Sequence, residues 1–324
     1  MTSYAYLRTY GDVDEFCEDA RGWSLDFVPT RRGSFRSSVM QVGSGPVQVG
    51  RGRFRGSLIQ RGAPPAGHWT FVVPTGPAVT FRWRGHAVRG DSMLVFPLNG
   101  ELHSASGPDF DVYTIAVSAP HLEAVADAQR LPAPSRLIGS AEVFRDLSAS
   151  LADLRQTVAT VSRAVALGLP PDGPELTRLL HVELPTLLLQ GTASASGRSN
   201  AIASSRRTLV DGIGAHLDGA LGRTVPTVRE LTGIAGTSTR TLRRAFQEFY
   251  GCGPKEFLLA HRYNAARRLL RDADPADRGV SALTGRLGFW HAGSFAAEYR
   301  RRFGELPHET LSRRPREGGR RVSP

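Results

Sequence analysis

Arg240, Arg243 and Arg244 are spaced so that a helix would carry all three guanidinium groups along one side. Each is a planar fork of donors that can bond O6 and N7 of guanine in pairs or hold a phosphate. The chemistry on offer is recognition of a nucleic-acid edge. Ser238 stands just before them, where its hydroxyl can accept from a backbone amide two or three residues on and so start the helix. Thr239 and Thr241 share its exposed first turn. Leu242, Phe246 and Phe249 recur on the opposite side and predict a buried face. Upstream, Thr227 reads as the cap of a shorter helix whose apolar face is Val228, Leu231 and Ile234, and Gly236 lets the chain reverse between the two. Residues 227–249 therefore read as a helix, a tight turn and a second helix narrow enough for the major groove. The plain alternative is a solvated basic helix lying on a core, which would require neither the turn nor the cap.

The same grammar returns from residue 280, VSALTGRLGFWHAGSFAAEYRRRFGELPHETL. Leu283 and Leu287 give an apolar helix, Gly288 a turn, and Phe295, Tyr299 and Phe303 the buried side of a second helix. Phe289 and Trp290 are expected to wedge between these two helices. The groove-facing positions differ between the units. Where the first has Thr239, Arg240, Arg243 and Arg244, the second has Ala292, Gly293, Ala296 and Ala297. The first should thus read bases. The second should hold phosphates through Arg300, Arg301 and Arg302 and through the helix N-terminus near His291 and Ser294. A helix at 257–270, burying Leu258, Tyr263, Ala266, Leu269 and Leu270, would be a rigid spacer between them.

Two such units joined by a helix rich in Ala, Leu and Arg resemble the DNA-binding domain of the AraC/XylS regulators, over about the last hundred residues. The resemblance rests on Ser238, Arg240, Leu242, Arg244 and Phe246 as SxRxLxRxF. It rests also on Gly251, Pro254 and HRYNAARRLL, on Gly288 and Phe289, and on the run YRRRFGELP. GFWHAGSF is most similar to the branch containing the ethanolamine-utilisation regulators. The resemblance implies a bacterial, cytoplasmic transcription factor with double-stranded DNA as partner, a homodimer, and RNA polymerase as a further candidate partner.

Charge distribution agrees with that placement. Residues 200–324 hold 22 Lys and Arg against 12 Asp and Glu, whereas residues 1–199 hold 19 against 18. The basic surface is C-terminal, as phosphate neutralisation requires. Cys17 and Cys252 are far apart and lack CxxC spacing, which argues against a disulfide scaffold or a cysteine-rich zinc site. No window approaches a membrane span and no apolar signal core opens the chain, so the expected compartment is the cytoplasm.

Upstream the texture is β. A short acidic helix is expected from Val13, and then VQVGRGRFRGSLIQ, HWTFVVP, VTFRWRGHAV and FDVYTIAV are separated by Gly and Pro, with Val79, Phe81 and Trp83 sharing one face. Many short strands suggest a small antiparallel barrel or sandwich, and RGDSMLVFPLNGEL resembles the strand-turn-strand of cupin-like barrels. The expected fold class is α+β: a cupin-like sensor domain with pairing helices (1–190), a flexible linker (191–205), an all-α domain of two helix-turn-helix units (206–312) and a basic disordered tail (313–324).

Trp69, Phe71, Phe81, Trp83 and Phe96 are the candidate lining of an effector pocket, against the alternative of plain core packing; the effector itself is unspecified. A metal-dependent cupin enzyme with an appended DNA-binding domain is the rival reading. His68, His86 and His103 are scattered without HxH spacing, and Glu101 with His103 would supply only two ligands where open catalytic sites generally have three. No catalytic residue, metal or cofactor is expected. Leu147, Leu151, Leu154, Val158, Val161 and Val165 form a narrow seam at four- and three-residue steps, suited to a partner helix or to packing on the barrel, with Leu151 and Leu154 expected in a dimer contact. A second apolar helix, 175–190, should bend or break at Pro185.

Overall fold

The computed structural model describes residues 3–33, 35–96, 98–195, 197–199, 209–210, 212–213, 226–274 and 279–313. The chain divides into two compact units, Met1–Phe27 with Phe35–Arg207 and Val28–Ser34 with Thr208–Pro324.

The first unit is built on two antiparallel sheets. The larger runs β1 (Tyr4–Tyr10), β3 (Arg36–Ser44), β4 (Val47–Arg55), β11 (Asp109–Ser118), β6 (His68–Pro74), β9 (Met93–Phe96), β12 (Val143–Arg145) and β13 (Gly197–Ser199). The smaller runs β2 (Ser24–Pro29), β5 (Leu58–Ala63), β10 (Leu102–Ser106), β7 (Phe81–Trp83) and β8 (His86–Val88). Neither order returns on itself, so the cupin-like closed barrel expected from the GDxxxxP segment is not formed, and Pro97 of that segment lies outside the described residues. The α+β class stands, with a sheet-rich N-terminal unit and a helical C-terminal one.

The centre of the large sheet is buried on both faces, and its alternating side chains feed two separate cores. In β6, Phe71 and Val73 join one core cluster while Val72 joins the other; in β9, Met93 and Val95 part in the same way from Leu94 and Phe96. The register Val72↔Leu94 and Thr70↔Phe96 keeps each set together. One face meets the smaller sheet over an aromatic core that includes Phe54, Phe81, Trp83, Phe96 and Phe110. The other meets a layer of helices. These are α2 (Ala119–Ala128), α3 (Pro134–Ile138), α4 (Ser148–Ala166), and a continuous run of α5 (Pro174–Arg178), one π-helical turn (Leu179–Glu183) and α6 (Leu184–Ser194). The irregularity expected at Pro185 takes the form of that π-helical turn just ahead of it.

α4 corrects one expectation. Its seam residues Leu147, Leu151, Leu154, Val158, Val161 and Val165 are all buried within the unit's own core. The seam is narrow because it fits between the sheet and α6. The expected linker is also partly structured: Gly191 to Ser194 end α6, and Gly197–Ser199 pairs with β12. Residues 196 and 200–205, and the tail from 314 onward, lie outside the described residues. At the N-terminus, α1 (Val13–Asp19) forms as the acidic pattern suggests, capped by Asp12 accepting from the Asp14 amide.

The second unit is helical: α7 (Val228–Ile234), α8 (Thr239–Tyr250), α9 (Pro254–Asp272), α10 (Val280–Gly285), α11 (Ala292–Phe303) and α12 (Pro307–Ser312). α9 runs through it. Near its N-terminus Phe257 packs edge-on to Phe246 at 5.0 Å. Further along, Tyr263 stacks on Phe295 at 5.6 Å with the rings 5° from parallel. Six residues of helix, about 9 Å, thus tie α8 to α11.

Candidate nucleic-acid interface and ligand cavity

The first helix pair is held by its caps. Thr227 accepts from the Glu230 amide at 3.2 Å while the Glu230 carboxylate accepts from the Thr227 amide at 2.6 Å, a reciprocal box that satisfies two otherwise open donors. Those bonds hold the exposed Glu230 carboxyl below its usual range. Gly236 takes φ +55° in the turn, a conformation that Cβ-bearing residues rarely adopt. Ser238 then accepts from the Thr241 amide at 3.1 Å and shares a hydroxyl contact of 3.0 Å with Thr241, and Gly251 ends α8 in the left-handed conformation. Leu242, Ala245, Phe246 and Phe249 are buried. That fixes the opposite side outward: Thr239, Arg240, Arg243 and Arg244 are exposed, and none of the three arginines has an acidic partner among the described residues. Ile234 departs from its expected inward position and is 48% exposed, since α7 is short and only Leu231 is driven fully into the core.

In the second pair Leu283, Leu287, Phe295 and Tyr299 are buried. Phe289 lies half-buried against Tyr263 at 4.8 Å and Phe295 at 4.5 Å. Trp290 does not share that place. It is 79% exposed. His291 is the N-cap and makes no side-chain cap bond; Ser294 donates back to the His291 carbonyl at 3.0 Å, and both are exposed. Ala292, Gly293 and Ala297 face outward, as do Arg300 and Arg301, whereas Ala296 is half-buried.

Arg302 is different. It is 7% exposed, bonds Glu298 from Nε at 3.0 Å and lies over the Tyr263 ring at 5.0 Å, so it is part of the core and not a phosphate contact. Arg32, in the 28–34 segment of this unit, and Arg301 also bond Glu298, at 3.0 Å each. Burial alone would raise the Glu298 pKa; the bonds from Arg32 and Arg301 and the charge of Arg302 outweigh it and hold the carboxyl below its ordinary value.

In the first unit a cavity of about 100 Å³ opens between the sheets, walled by Phe54, Phe81, Trp83, Phe96 and Phe110 among others. Three of the sequence candidates, Phe81, Trp83 and Phe96, are in that wall. Trp69 and Phe71 are not: the β6 register turns them to the helix side, into the core with α4 and α6. Trp83 is pinned by an indole bond to Glu142 at 2.7 Å, and Arg84 holds the other Glu142 oxygen at 2.8 Å. Sequence reasoning missed Trp23, Phe54, Phe110 and Gln60, which also line the wall. His103 and Glu101 meet each other at 3.1 Å, and among the described residues no three His, Cys, Asp or Glu side chains gather as a metal site.

The C-terminal geometry is that of two helix-turn-helix units sharing a connecting helix. Residues 231–313 match the family described as "Helix-turn-helix domain". The probable thc operon regulatory protein of Rhodococcus erythropolis is 39% identical over 105 residues, 32% of this chain and 30% of that protein. The XylDLEGF operon transcriptional activator 1 of Pseudomonas putida is 36% identical over 87 residues, 27% of this chain and 26% of that protein. The chain thus spans under a third of the length of these relatives. Among solved structures, the AraC-like transcriptional activator CuxR aligns with 87% of this chain and 99% of its own at 12% identity and a TM-score of 0.41. The C-terminal unit is a helix-turn-helix domain of the AraC/XylS family.

Proposed function

We propose that the whole chain is a sequence-specific transcription regulator acting on double-stranded DNA, with α8 and α11 placed in successive major grooves about 34 Å apart along one face of the duplex. The observation that carries it is the outward side of α8: three exposed arginines without acidic partners among the described residues, oriented by a buried Leu242, Phe246 and Phe249 and by two capped helix ends. α9 supports simultaneous engagement, because its aromatic contacts hold both units on one rigid rod.

In this reading the first unit is the sensor, and its apolar cavity takes a small-molecule effector. Binding would shift the protein between arrangements only so far as the effector prefers one of them. The protein works in the cytoplasm; no helix among the described residues is long and apolar enough to cross a membrane. It pairs as a homodimer through a face other than the α4 seam, which is already buried, and RNA polymerase is a further partner. No catalytic step is assigned to it. The test is footprinting of the DNA upstream of its own gene and titration against that site and a scrambled duplex. Protection of one site with clear preference over scrambled DNA is expected; equal binding to both overturns the reading.

A further inference from the structure

The cavity in the first unit has a feature that ordinary core packing does not explain. Two of the inward positions of β4 are Gly50 and Gly52, on the same side as Phe54, so the middle of a central strand contributes no side chain to the space between the sheets. The gap is not readily filled: a Cβ at 52 would meet the Phe54 ring at 2.7 Å and one at 50 would meet Thr114 Oγ1 at 2.6 Å. The volume left, about 100 Å³, is of the order of the ~150 Å³ engineered apolar cavity that takes up benzene.

One polar group in the wall is left over. Gln60 is 2% exposed and its amide Nε2 has no hydrogen-bond partner among the described residues. Its neighbours in the wall are engaged. Gln41 accepts from the Tyr6 hydroxyl and the Arg21 amide and donates to the Arg21 carbonyl at 2.9 Å. Ser104 donates to the Arg82 carbonyl at 2.9 Å. Arg51 alternates with Gly50 and Gly52 on β4, so its side chain turns to the opposite face, over the Tyr113 ring, where both oxygens of Asp111 accept from it at 3.0 and 2.9 Å and raise its pKa further. A buried amide donor without an acceptor is costly to leave unmade, and a ligand oxygen would complete it. A carboxylate entering the same space would lose its water and gain no free cation.

We infer that the cavity takes an uncharged, one-ring or similarly compact apolar molecule carrying a single oxygen acceptor, which receives the Gln60 amide bond. This deepens the sensor reading and rests on it, and it sets a class of effector: ketones, esters, aldehydes or ethers of a small hydrocarbon, not the corresponding acids. Phe81, Trp83 and Phe96 supply the ring contacts; Gln60 supplies orientation.

Three probes of nearly one shape separate the terms: acetophenone, benzoate and ethylbenzene. Binding to the full chain at neutral pH is followed by ligand-observed NMR and by quenching of Trp23 and Trp83, which stand in the wall. Acetophenone should bind with benzoate at least about a hundredfold weaker. Gln60→Leu, close in size, should retain ethylbenzene and lower the ratio of acetophenone to ethylbenzene affinity about tenfold. Gln60→Met, which also lacks the amide, serves if the leucine variant melts below the parent. Benzoate binding as tightly as acetophenone overturns the inference, as does an unchanged ratio in both variants or binding by none of the probes at millimolar concentration. Each of these failures leaves the footprint on upstream DNA untouched, so it is distinct from failure of the regulator reading.

Discussion

Arg302 and Glu298, one turn apart on α11, form a buried ion pair with 7% and 10% of their side chains exposed. Removing Arg302 leaves Glu298 with Arg32 and Arg301 but vacates a buried place over the Tyr263 ring, at a cost of roughly 0.5–3 kcal/mol. Arg302→Ala should therefore lower the melting temperature of the C-terminal unit, and any loss of DNA binding should follow from that. Arg300→Ala, two residues earlier and exposed, should leave the melt unchanged. The pair also sets a pH dependence. Since the folded Glu298 pKa lies below its unfolded value, its contribution is present above the ordinary carboxylate range and is lost as pH falls through the lowered value. Chemical denaturation of the wild type and Glu298→Gln at a series of pH values from neutral downward checks this; the variant should show the shallower decline.

Phe289 and Trp290 are adjacent and should behave as opposites. Removing the Phe289 ring opens a gap beside Tyr263 and Phe295, at a cost of about 3 kcal/mol. Trp290→Ala, at 79% exposure, should stay within about 0.5 kcal/mol of the parent. Thermal melts decide the pair, and any DNA-binding defect of the Trp290 variant would then be a direct one.

Cys252 is buried, and desolvation, helped by the charge of Glu256, pushes its thiol up to about 12. Little thiolate forms near neutral pH, so maleimide should label partly exposed Cys17 in the native protein and reach Cys252 only after denaturation. Mass spectrometry of the labelled peptides reads the outcome; prompt native labelling of Cys252 would contradict it.

Leu151 and Leu154, 2% and 1% exposed, sit in the core between sheet and helices. Converting both to Asp should unfold the first unit, at more than about 4 kcal/mol, and should not yield a folded monomer. Sedimentation together with circular dichroism distinguishes the two.

The C-terminal unit was largely legible because its signals are local. Thr227, Gly236, Ser238 and Gly251 each mark a cap or turn that needs only neighbouring residues, and the apolar spacing of α8 fixes its outward arginines without further knowledge. Arg302 was not legible. Its exposure depends on Glu298 and Tyr263, and the run Arg300 to Arg302 reads as uniformly solvated until the fold turns one member inward. The first unit hid more. In β6 both Trp69-Phe71-Val73 and Thr70-Val72-Pro74 are apolar enough to be buried, so alternation could not say which set faces the helices. The α4 seam posed the same difficulty, since a stripe of that width suits a partner helix or the chain's own core. β1 and β2 were overlooked because YAYLRTY and SLDFVP pair only with strands distant in sequence. Gln60 carries no sequence signal, because what sets it apart from Gln41 and Ser104 in the same wall is a missing partner that only the fold reveals.

The asymmetry between α8 and α11 yields the most discriminating expectation. Arg240 and Arg243 are exposed on α8 and carry donors matched to guanine O6 and N7, whereas Ala292, Gly293 and Ala297 on α11 offer at most a methyl contact. Arg240→Ala or Arg243→Ala should cost about 1–3 kcal/mol on the specific site and far less on random DNA. Arg300 has no base-reading company on its helix, so Arg300→Ala should weaken both duplexes alike and reduce the salt dependence by roughly one unit of slope. Neither change touches a buried side chain, so the melting temperature should hold, which separates these effects from that of Arg302→Ala. Each variant is titrated against the protected site and a scrambled duplex at several salt concentrations. Equal losses on both duplexes for the α8 variants would move base reading away from α8, and a site-selective loss for Arg300→Ala would move it to α11.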